Sequence, residues 1–444
     1  MFETIANVFR VADLRSRILF TLAMVGVFRL GIFVPAPGVN REALTEFFSA
    51  SQGSLLGLYD MFTGGAMSQF SVFTLGIMPY ISASIIVQLG QVVFPQVERL
   101  KNEGQAGRKK LNQYTRYLTI AIALVQAFLG ATQLEGNRTS SGVDIVVDPG
   151  WDFRMMTMLT LTAGSCFVMW LGEQITDRGI GNGSSLIISS GIVAGLIPAV
   201  NRLYQKLSLG EMSLLGIMML LAFMFVVIMV IIFIERGQRK IPIQYAKRVV
   251  GRRIYGGQST HLPLKVNVAG VIPPIFASSV MMFPATIGQM GLQNPLIENL
   301  AAAFQAGSWL YNVAFVVMVI VFAYFYTAVT FNPVDVADNL RKHGAYIPGV
   351  RPGKQTAEYI DRILTRLTAG GSVYLAILCL LPSILISSYG LPFYFGGTSV
   401  LIVVGVSLDT VAQIEGHLLT RQYDGMMGAS NRRSKGRRKT LSST

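Results

Sequence analysis

Hydrophobic residues fill positions 71–94 for about the thickness of a bilayer core, which predicts a membrane-spanning helix. Pro79 would break the hydrogen-bond ladder inside this helix. Three polar side chains lie at membrane depth, where lipid cannot satisfy them: Ser82, Ser84 and Gln88. The apolar stretch 59–70 just upstream is too short to cross a membrane and contains Gly64 and Gly65. Irregular backbone is tolerated in a membrane only inside protein, so the two stretches together indicate a protein-lined cavity.

The same hydrophobic pattern recurs along the chain and predicts an all-α polytopic membrane protein. We expect ten spans, at about 18–34, 72–94, 117–134, 155–172, 185–200, 213–234, 268–290, 309–331, 371–389 and 394–414. The second and seventh spans both carry proline, at Pro79 and at Pro273 and Pro274, followed by small polar residues. Two inverted, pseudo-symmetric halves of five spans, with broken helices at matching positions, would indicate a central pathway between them.

The positive charges predict which side of the membrane each loop occupies. Of the 37 Lys and Arg residues, 31 fall on the side of the two termini and 5 on the other, and Arg29 lies inside the first span. Because positive residues concentrate in cytoplasmic loops, both termini are predicted to be cytoplasmic. The first residues, 1–17, have no small-residue cleavage site and are predicted to form an amphipathic helix on the membrane surface.

Composition limits the possible chemistry. The chain has 444 residues, of which 52% are hydrophobic and 14% charged, as in membrane proteins rather than soluble domains. Its two cysteines lie in apolar spans and its three histidines in or beside basic loops, so neither a disulfide framework, a metal site nor a cofactor is expected. The spans lack the series of acidic or histidine side chains that coupled transporters use, and no nucleophile–base cluster indicates an enzyme.

Two long loops on the predicted cytoplasmic side are basic and rich in turn residues. Residues 236–265 contain eight basic residues and no acidic ones, and positions 243–255 alternate around Gly251 as a hairpin would. Topogenic charge explains the sign of these loops but not their length or pattern. We therefore expect a docking surface for an acidic or phosphate-rich partner. The expected docking residues are Arg236, Arg239, Lys240, Lys247, Arg248, Arg252, Arg253, Arg341, Arg351 and Lys354.

Several long motifs resemble the SecY family, the channel subunits of the bacterial protein-secretion translocon. They include LGIMPYISASIIVQL, MWLGEQITDRGIGNGSS, ERGQRKIPIQYAKR, QSTHLPLKVNVAGVIPPIFASS and GVRPGKQTAEYIDRILTRLT. The resemblance implies an hourglass pore between the two halves, in the bacterial cytoplasmic membrane. It also implies the partners SecE and SecG in a SecYEG heterotrimer, the SecA ATPase, the ribosome with its rRNA phosphates, and signal sequences with nascent chains. Anionic lipids are expected to contact the basic tail.

The resemblance also assigns residues. A pore ring of aliphatic side chains would comprise Ile81, Ile85, Ile188, Ile192, Ile275 and Ile402. A plug, residues 55–70, would include Leu55, Tyr59, Met61, Phe62, Gly64, Gly65, Met67 and Phe70. A lateral gate between the second and seventh spans would include Ser82, Ser84, Gln88, Ser278 and Ser279, and Arg351 would be critical for docking SecA.

The implied organisation runs from one end of the chain to the other. Residues 18–200 form the N-terminal half, 201–212 an outer hinge loop, and 213–416 the C-terminal half with cytoplasmic loops at 235–267 and 332–368. Residues 417–444 form a basic cytoplasmic tail. The predicted function is a protein-conducting channel without enzymatic activity of its own, powered by its partners. The alternatives are an ion-coupled secondary transporter of small solutes and, less favoured, a membrane-embedded enzyme.

Overall fold

A computed structural model describes residues 11–50, 60, 62–136, 143–210, 213–245, 248–250, 253–255, 259–288, 308–389 and 398–418. The amphipathic helix predicted over 1–17 and the tail predicted over 417–444 therefore lie mostly outside the described residues. So do Leu55, Tyr59 and Met61 of the predicted plug, and Lys247 and Arg252 of the predicted docking surface.

The N-terminal half of the described chain is helical. Its helices are α1 (Ala12–Gly31), α2 (Arg41–Ala50), α3 (Met78–Val93), α4 (Pro95–Asn102), α5 (Gln105–Gly136), α6 (Trp151–Arg178) and α7 (Gly183–Ser208). The start of α7 follows from its sequence, because the Asn182 side chain accepts hydrogen bonds from the backbone N–H groups of Ser184 and Ser185. The glycine-rich turn that precedes α7 is thus a helix-capping turn.

The C-terminal half combines helices with short strands. Its helices are α8 (Leu214–Arg236), α9 (Ile272–Gly288), α10 (Trp309–Thr330), α11 (Pro333–Lys342), α12 (Lys354–Tyr389) and α13 (Thr398–Leu418). Its strands are β1 (Gln238–Tyr245), β2 (Arg248–Val250), β3 (Arg253–Tyr255), β4 (Ser259–Lys265) and β5 (Ala345–Tyr346). Serine and asparagine caps again set the helix starts, since Ser213 caps α8 and Asn332 caps α11.

A helix occupies the position of each of the ten predicted spans. Among the described residues, seven helices are long and apolar enough to cross a membrane: α5 to α8, α10, α12 and α13, with α11 continuing α10. An eighth span results if α3 and α4, which meet at an angle of 104°, are counted together. The remaining two predicted spans fall on α1 and on the shorter apolar helix α9. The protein is therefore a multi-pass membrane protein whose helices fit ten spans, although length and composition alone do not establish that count.

Pro79, Pro273 and Pro274 lie in the first turns of helices, which corrects the prediction that Pro79 lies inside one. Pro79 is the second residue of α3, and Pro273 and Pro274 follow the first residue of α9. Proline is favoured in a first turn because its missing N–H would have no helical partner there. Residues 71–77 form turns instead of helix, so the N-terminal part of the second predicted span is irregular backbone held by protein.

The irregular segment 71–77 is clamped between α1 and α6. The Phe73 ring stacks on Phe28 of α1 at 5.9 Å and on Phe167 of α6 at 5.8 Å, measured between ring centroids. Gly164 of α6 faces the Val72 backbone so closely that a side chain at this position would overlap it. Turn backbone can lie at this depth because its hydrogen bonds are made inside the protein, including Val72 N–H to the Val34 carbonyl at 2.9 Å.

The two basic loops form one small folded platform, which we call the basic platform (residues 236–265 and 333–364). Its antiparallel three-stranded sheet has the order β4-β1-β5, and β2 pairs with β3 in a separate two-stranded sheet. The β2–β3 pairing is the hairpin that the alternation around Gly251 predicts. An apolar core beneath the sheet fixes both loops to the start of α12: Ile241, Leu264, Ile347, Ile360, Ile363 and Leu364.

Candidate functional site

The six isoleucines predicted to line a pore are all buried. Each is at most 7% exposed, and all six belong to one continuous cluster of apolar side chains at the centre of the helices. Ile81 and Ile85 come from α3, Ile188 and Ile192 from α7, Ile275 from α9 and Ile402 from α13. The two pairs at i, i+4 each place branched side chains on one helix face. None of the six is directed toward the lipid, although the cluster also contains many other residues.

Residues 60 and 62–70, the described part of the predicted plug, form a compact turn seated on this cluster. Asp60 organises the turn, because its carbonyl accepts the Gly65 N–H at 2.8 Å and its carboxylate accepts the Ser68 N–H at 2.8 Å. Gly64 and Gly65 have φ values of +73° and +87°, which side chains disfavour, so the glycine pair is required by the fold of the turn. Ala66 is fully buried in the cluster, with Phe62 and Met67 packed against it.

The end of this turn is joined to the second span by buried polar groups that the sequence did not single out. The Thr74 hydroxyl donates to the carbonyls of Ser71 at 2.6 Å and Ala66 at 3.2 Å. The Ser71 N–H donates to the same Ala66 carbonyl at 3.0 Å. Phe70, the last residue of the predicted plug, has a φ of +44°, which is uncommon outside glycine.

One cation, Arg29 of α1, touches the predicted plug. Its guanidinium donates to the Gly64 carbonyl at 3.1 Å and to the Ser190 carbonyl of α7. Ser190 lies between Ile188 and Ile192, the two isoleucines of α7 that were predicted to line a pore. The sequence indicated Arg29 only as a charge inside an apolar span, and the spacing along the chain gave no sign of its contact with residue 64.

The predicted lateral gate falls on helices that do pack together. α3 contacts α9, and each also contacts a helix of the neighbouring span, α5 for α3 and α10 for α9. The gate's polar side chains bond within their own helices, since Gln88 donates to Ser84 at 3.1 Å and both Ser278 and Ser279 donate to the Ile275 carbonyl. These polar groups are thus bonded without a partner across the gate, and Ser82 is buried.

The predicted docking residues with described side chains are exposed on the basic platform: Arg236, Arg239, Lys240, Arg341, Arg351 and Lys354. Arg248 and Arg253 lie in the β2–β3 hairpin, where Arg253 pairs with Val250 at the turn end and Arg248 pairs with Tyr255 at the open end. The loop that carries Arg351 is held by the Thr356 hydroxyl, which donates to the Arg351 carbonyl at 2.9 Å. The platform therefore presents cations from a rigid base. Among the described residues, no cluster of His, Cys, Asp and Glu could hold a metal ion.

The fold and this site define a class: a polytopic α-helical membrane protein with an apolar centre, a compact turn seated on it and a basic platform. Comparisons with known proteins agree. The SecY family model matches residues 71–411. The protein translocase subunit SecY of Escherichia coli K12 is 45% identical over 430 residues, covering 96% of this chain and 97% of that protein. The Aquifex aeolicus subunit is 46% identical, covering 95% and 99%. This chain belongs to the SecY family.

Solved structures show the same fold at lower sequence identity. A structure described as a protein-conducting channel has a TM-score of 0.62 at 17% identity, covering 90% of this chain and 91% of the other. Sec61 in a canine ribosome–channel complex from the endoplasmic reticulum has a TM-score of 0.57 at 16% identity, with the same coverage. The expected fold is thereby confirmed, and neither family nor fold supports the ion-coupled transporter alternative.

Proposed function

We propose that this chain is the channel subunit of a bacterial protein translocase. In this role it moves unfolded secretory proteins across the cytoplasmic membrane and releases membrane proteins sideways into lipid. The supporting observation is that the six isoleucines share one buried apolar centre on which residues 62–70 are seated. Family membership at 45% identity over nearly the whole chain supports the same activity.

The closed channel follows from the chemistry of this centre. An apolar constriction without charge excludes water. Ions therefore cannot cross it, even if the side chains leave a narrow gap in the pathway. The seated turn adds a second obstacle on the side predicted to be external. An isoleucine ring makes no directed hydrogen bonds, so it accepts passenger chains of any sequence.

Opening is proposed to occur between α3 and α9. A signal sequence would exchange the contact between these helices for contacts with itself and with lipid. The gate hydroxyls at Ser84, Ser278 and Ser279 already bond within their own helices, so separation of α3 from α9 leaves few orphaned polar groups. Apolar segments of a passenger would then leave through this opening.

The basic platform is proposed to dock the partner that supplies energy. SecA would bind there during export, with Arg351 as a principal contact, and the ribosome would bind through rRNA phosphates. Structures of related Sec61 and Ssh1 channels bound to ribosomes support the second partner. SecE would clamp the two halves, SecG would complete a SecYEG heterotrimer, and both termini would be cytoplasmic with the basic tail near anionic lipid.

Reconstitution tests this function. Proteoliposomes containing the purified chain with SecE and SecG should protect a signal-bearing precursor from added protease when SecA and ATP are supplied. The same precursor without its signal sequence is the control and should stay sensitive. A precursor that remains sensitive in every case, from vesicles with correctly assembled complex, would refute the proposal.

A further inference from the structure

The charge of Arg29 has an unusual environment. The side chain is half-buried beside the apolar centre, and within the described part of the chain its guanidinium bonds to two backbone carbonyls and to no carboxylate. A charged group in an apolar interior is costly and is kept where its contacts have a purpose. The two carbonyls belong to different parts of the chain, Gly64 in the seated turn and Ser190 in α7. Arg29 therefore ties the turn to a helix of the predicted pore ring.

The surface of α7 that contacts the turn leaves no room for side chains between the two backbones. Gly191, next to Ser190, is buried, and a Cβ atom there would lie 2.9 Å from the Phe62 carbonyl oxygen and 3.3 Å from the Gly64 nitrogen. A Cβ at Gly64 would in turn lie 2.8 Å from an Arg29 guanidinium nitrogen and 2.9 Å from the Gly191 Cα. Two glycines thus let the backbones of the turn and α7 meet, and Arg29 closes the contact from the side.

We propose that Arg29 is the positioning residue that holds the plug turn against α7 and so keeps the channel closed. The planar guanidinium suits this role because its N–H groups diverge in fixed directions and donate to two carbonyls at once. A lysine ammonium is a single group on a flexible stem and holds two such partners less well. The Phe28 ring, whose centroid is 5.9 Å from the Arg29 guanidinium carbon, steadies the same group. When the turn leaves, Arg29 loses one of its carbonyl partners, which opposes opening until a passenger chain offers its own carbonyls.

This inference rests on the proposed channel function, but it can be tested without transport. Thr63 in the turn is 1% exposed, so a cysteine at this position reports whether the turn is seated. The parent variant carries Thr63→Cys with Cys166→Ser and Cys379→Ser, in membrane vesicles with the assembled complex. The measurement is its rate of reaction with a water-soluble maleimide. Gln69→Cys, at an exposed position of the same turn, sets the rate for full access.

Adding Arg29→Gln should raise the labelling rate of residue 63 about tenfold or more, as expected for losing a charge-assisted hydrogen bond that favours the seated state. Arg29→Lys should raise it less, because it keeps the charge and one bond. Gly191→Ala should also raise the labelling rate of residue 63 while Arg29 is intact, because the added methyl group would clash with the backbone of the turn. Arg154→Gln is the matched control: Arg154 donates two N–H groups to Glu135 Oε2, away from the turn, and its loss should leave the rate unchanged.

A wild-type labelling rate in folded Arg29→Gln protein would overturn the proposal. If that variant does not accumulate in the membrane, Arg29→Lys decides, and an unchanged rate there overturns it equally. An increase in the Arg154→Gln control as large as that in Arg29→Gln would also overturn it, because the effect would then be general loosening. Failure of precursor export with labelling as expected would instead remove the channel function and leave the contact between Arg29 and the turn standing.

Discussion

Two glycine-to-alanine substitutions should have opposite effects on stability. In α6, Gly164 faces the irregular segment 71–77, and an added Cβ would lie 2.8 Å from the Val72 carbonyl carbon and nearer still to its oxygen. Backbone cannot give way as a flexible side chain does, so segment 71–77 must move away from α6. In α5, Gly130 is also mid-helix, but a Cβ there meets nothing within 4 Å.

The expected magnitudes follow from these surroundings. Overpacking a fitted contact costs about 1–3 kcal/mol, reduced by the roughly 0.5–1 kcal/mol that alanine gains over glycine in a helix. We therefore expect Gly164→Ala to destabilise the protein by about 1–2 kcal/mol and Gly130→Ala to stabilise it by up to about 1 kcal/mol.

Thermal unfolding of the purified proteins in one detergent, followed by intrinsic fluorescence, measures both changes. Gly164→Ala should unfold at a lower temperature than the parent and Gly130→Ala at an equal or higher one. Equal midpoints for the two variants would refute the reasoning, because the close approach of α6 to segment 71–77 would then carry no energetic consequence. The same Gly164→Ala protein should leak ions in planar bilayers, since segment 71–77 connects the seated turn to Ile81.

Three further substitutions test other parts of the account. Replacing Ile81 and Ile275 together by serine should increase ion leak in planar bilayers, because polar side chains wet the constriction; an unchanged leak counts against the ring. Arg351→Glu should abolish SecA-driven export while the complex assembles normally, and Arg17→Glu, outside the basic platform, should export normally; export by Arg351→Glu at the parent rate contradicts a docking role. Glu135→Gln should cost about 1–3 kcal/mol in the same unfolding assay, because Arg154 loses the carboxylate oxygen that accepts two of its N–H groups. Asp13→Asn removes one charge of an exposed pair with a separation of 3.7 Å from Arg17 and should cost less than about 0.5 kcal/mol. Equal costs for the two would contradict that ranking.

Helix positions and the apolar centre could be predicted because both depend on local sequence. Apolar runs of bilayer length fixed where each helix lies, and the i, i+4 isoleucine pairs of α3 and α7 fixed which faces turn inward. The alternation around Gly251 was sufficient to predict the β2–β3 hairpin. The SecY resemblance supplied Ile275 and Ile402, neither of which belongs to an i, i+4 isoleucine pair.

Pro79 shows where local reasoning failed. A proline within a long apolar run is compatible with a kinked helix or with a helix that starts at the proline. Only the tertiary contacts of Phe73 with α1 and α6 show that the helix starts at the proline. Those contacts supply packing and hydrogen bonds to residues 71–77 that an isolated span would lack, and so they allow the segment to remain non-helical.

Arg29 shows a second limit. The intramembrane charge was visible in the sequence and is a recognised sign of function. Its partners lie 35 and 161 residues away and are backbone carbonyls, which carry no side-chain signature. The glycines at 64, 65 and 191 are the only trace of this contact in the sequence, because each marks a position where the backbone is approached closely or has positive φ.

Site-specific crosslinking of an arrested secretory chain shows whether a passenger passes through the apolar centre that contains the six isoleucines. Cys166 and Cys379 are first replaced by serine, and single cysteines are then placed at Ile81 and Ile402. The control position is Phe233 on the outer surface of α8, where the side chain is 81% exposed. We expect the passenger to crosslink at both isoleucine positions and not at Phe233. A passenger that crosslinks at Phe233, or that reaches neither isoleucine position, would contradict a pathway through the apolar centre.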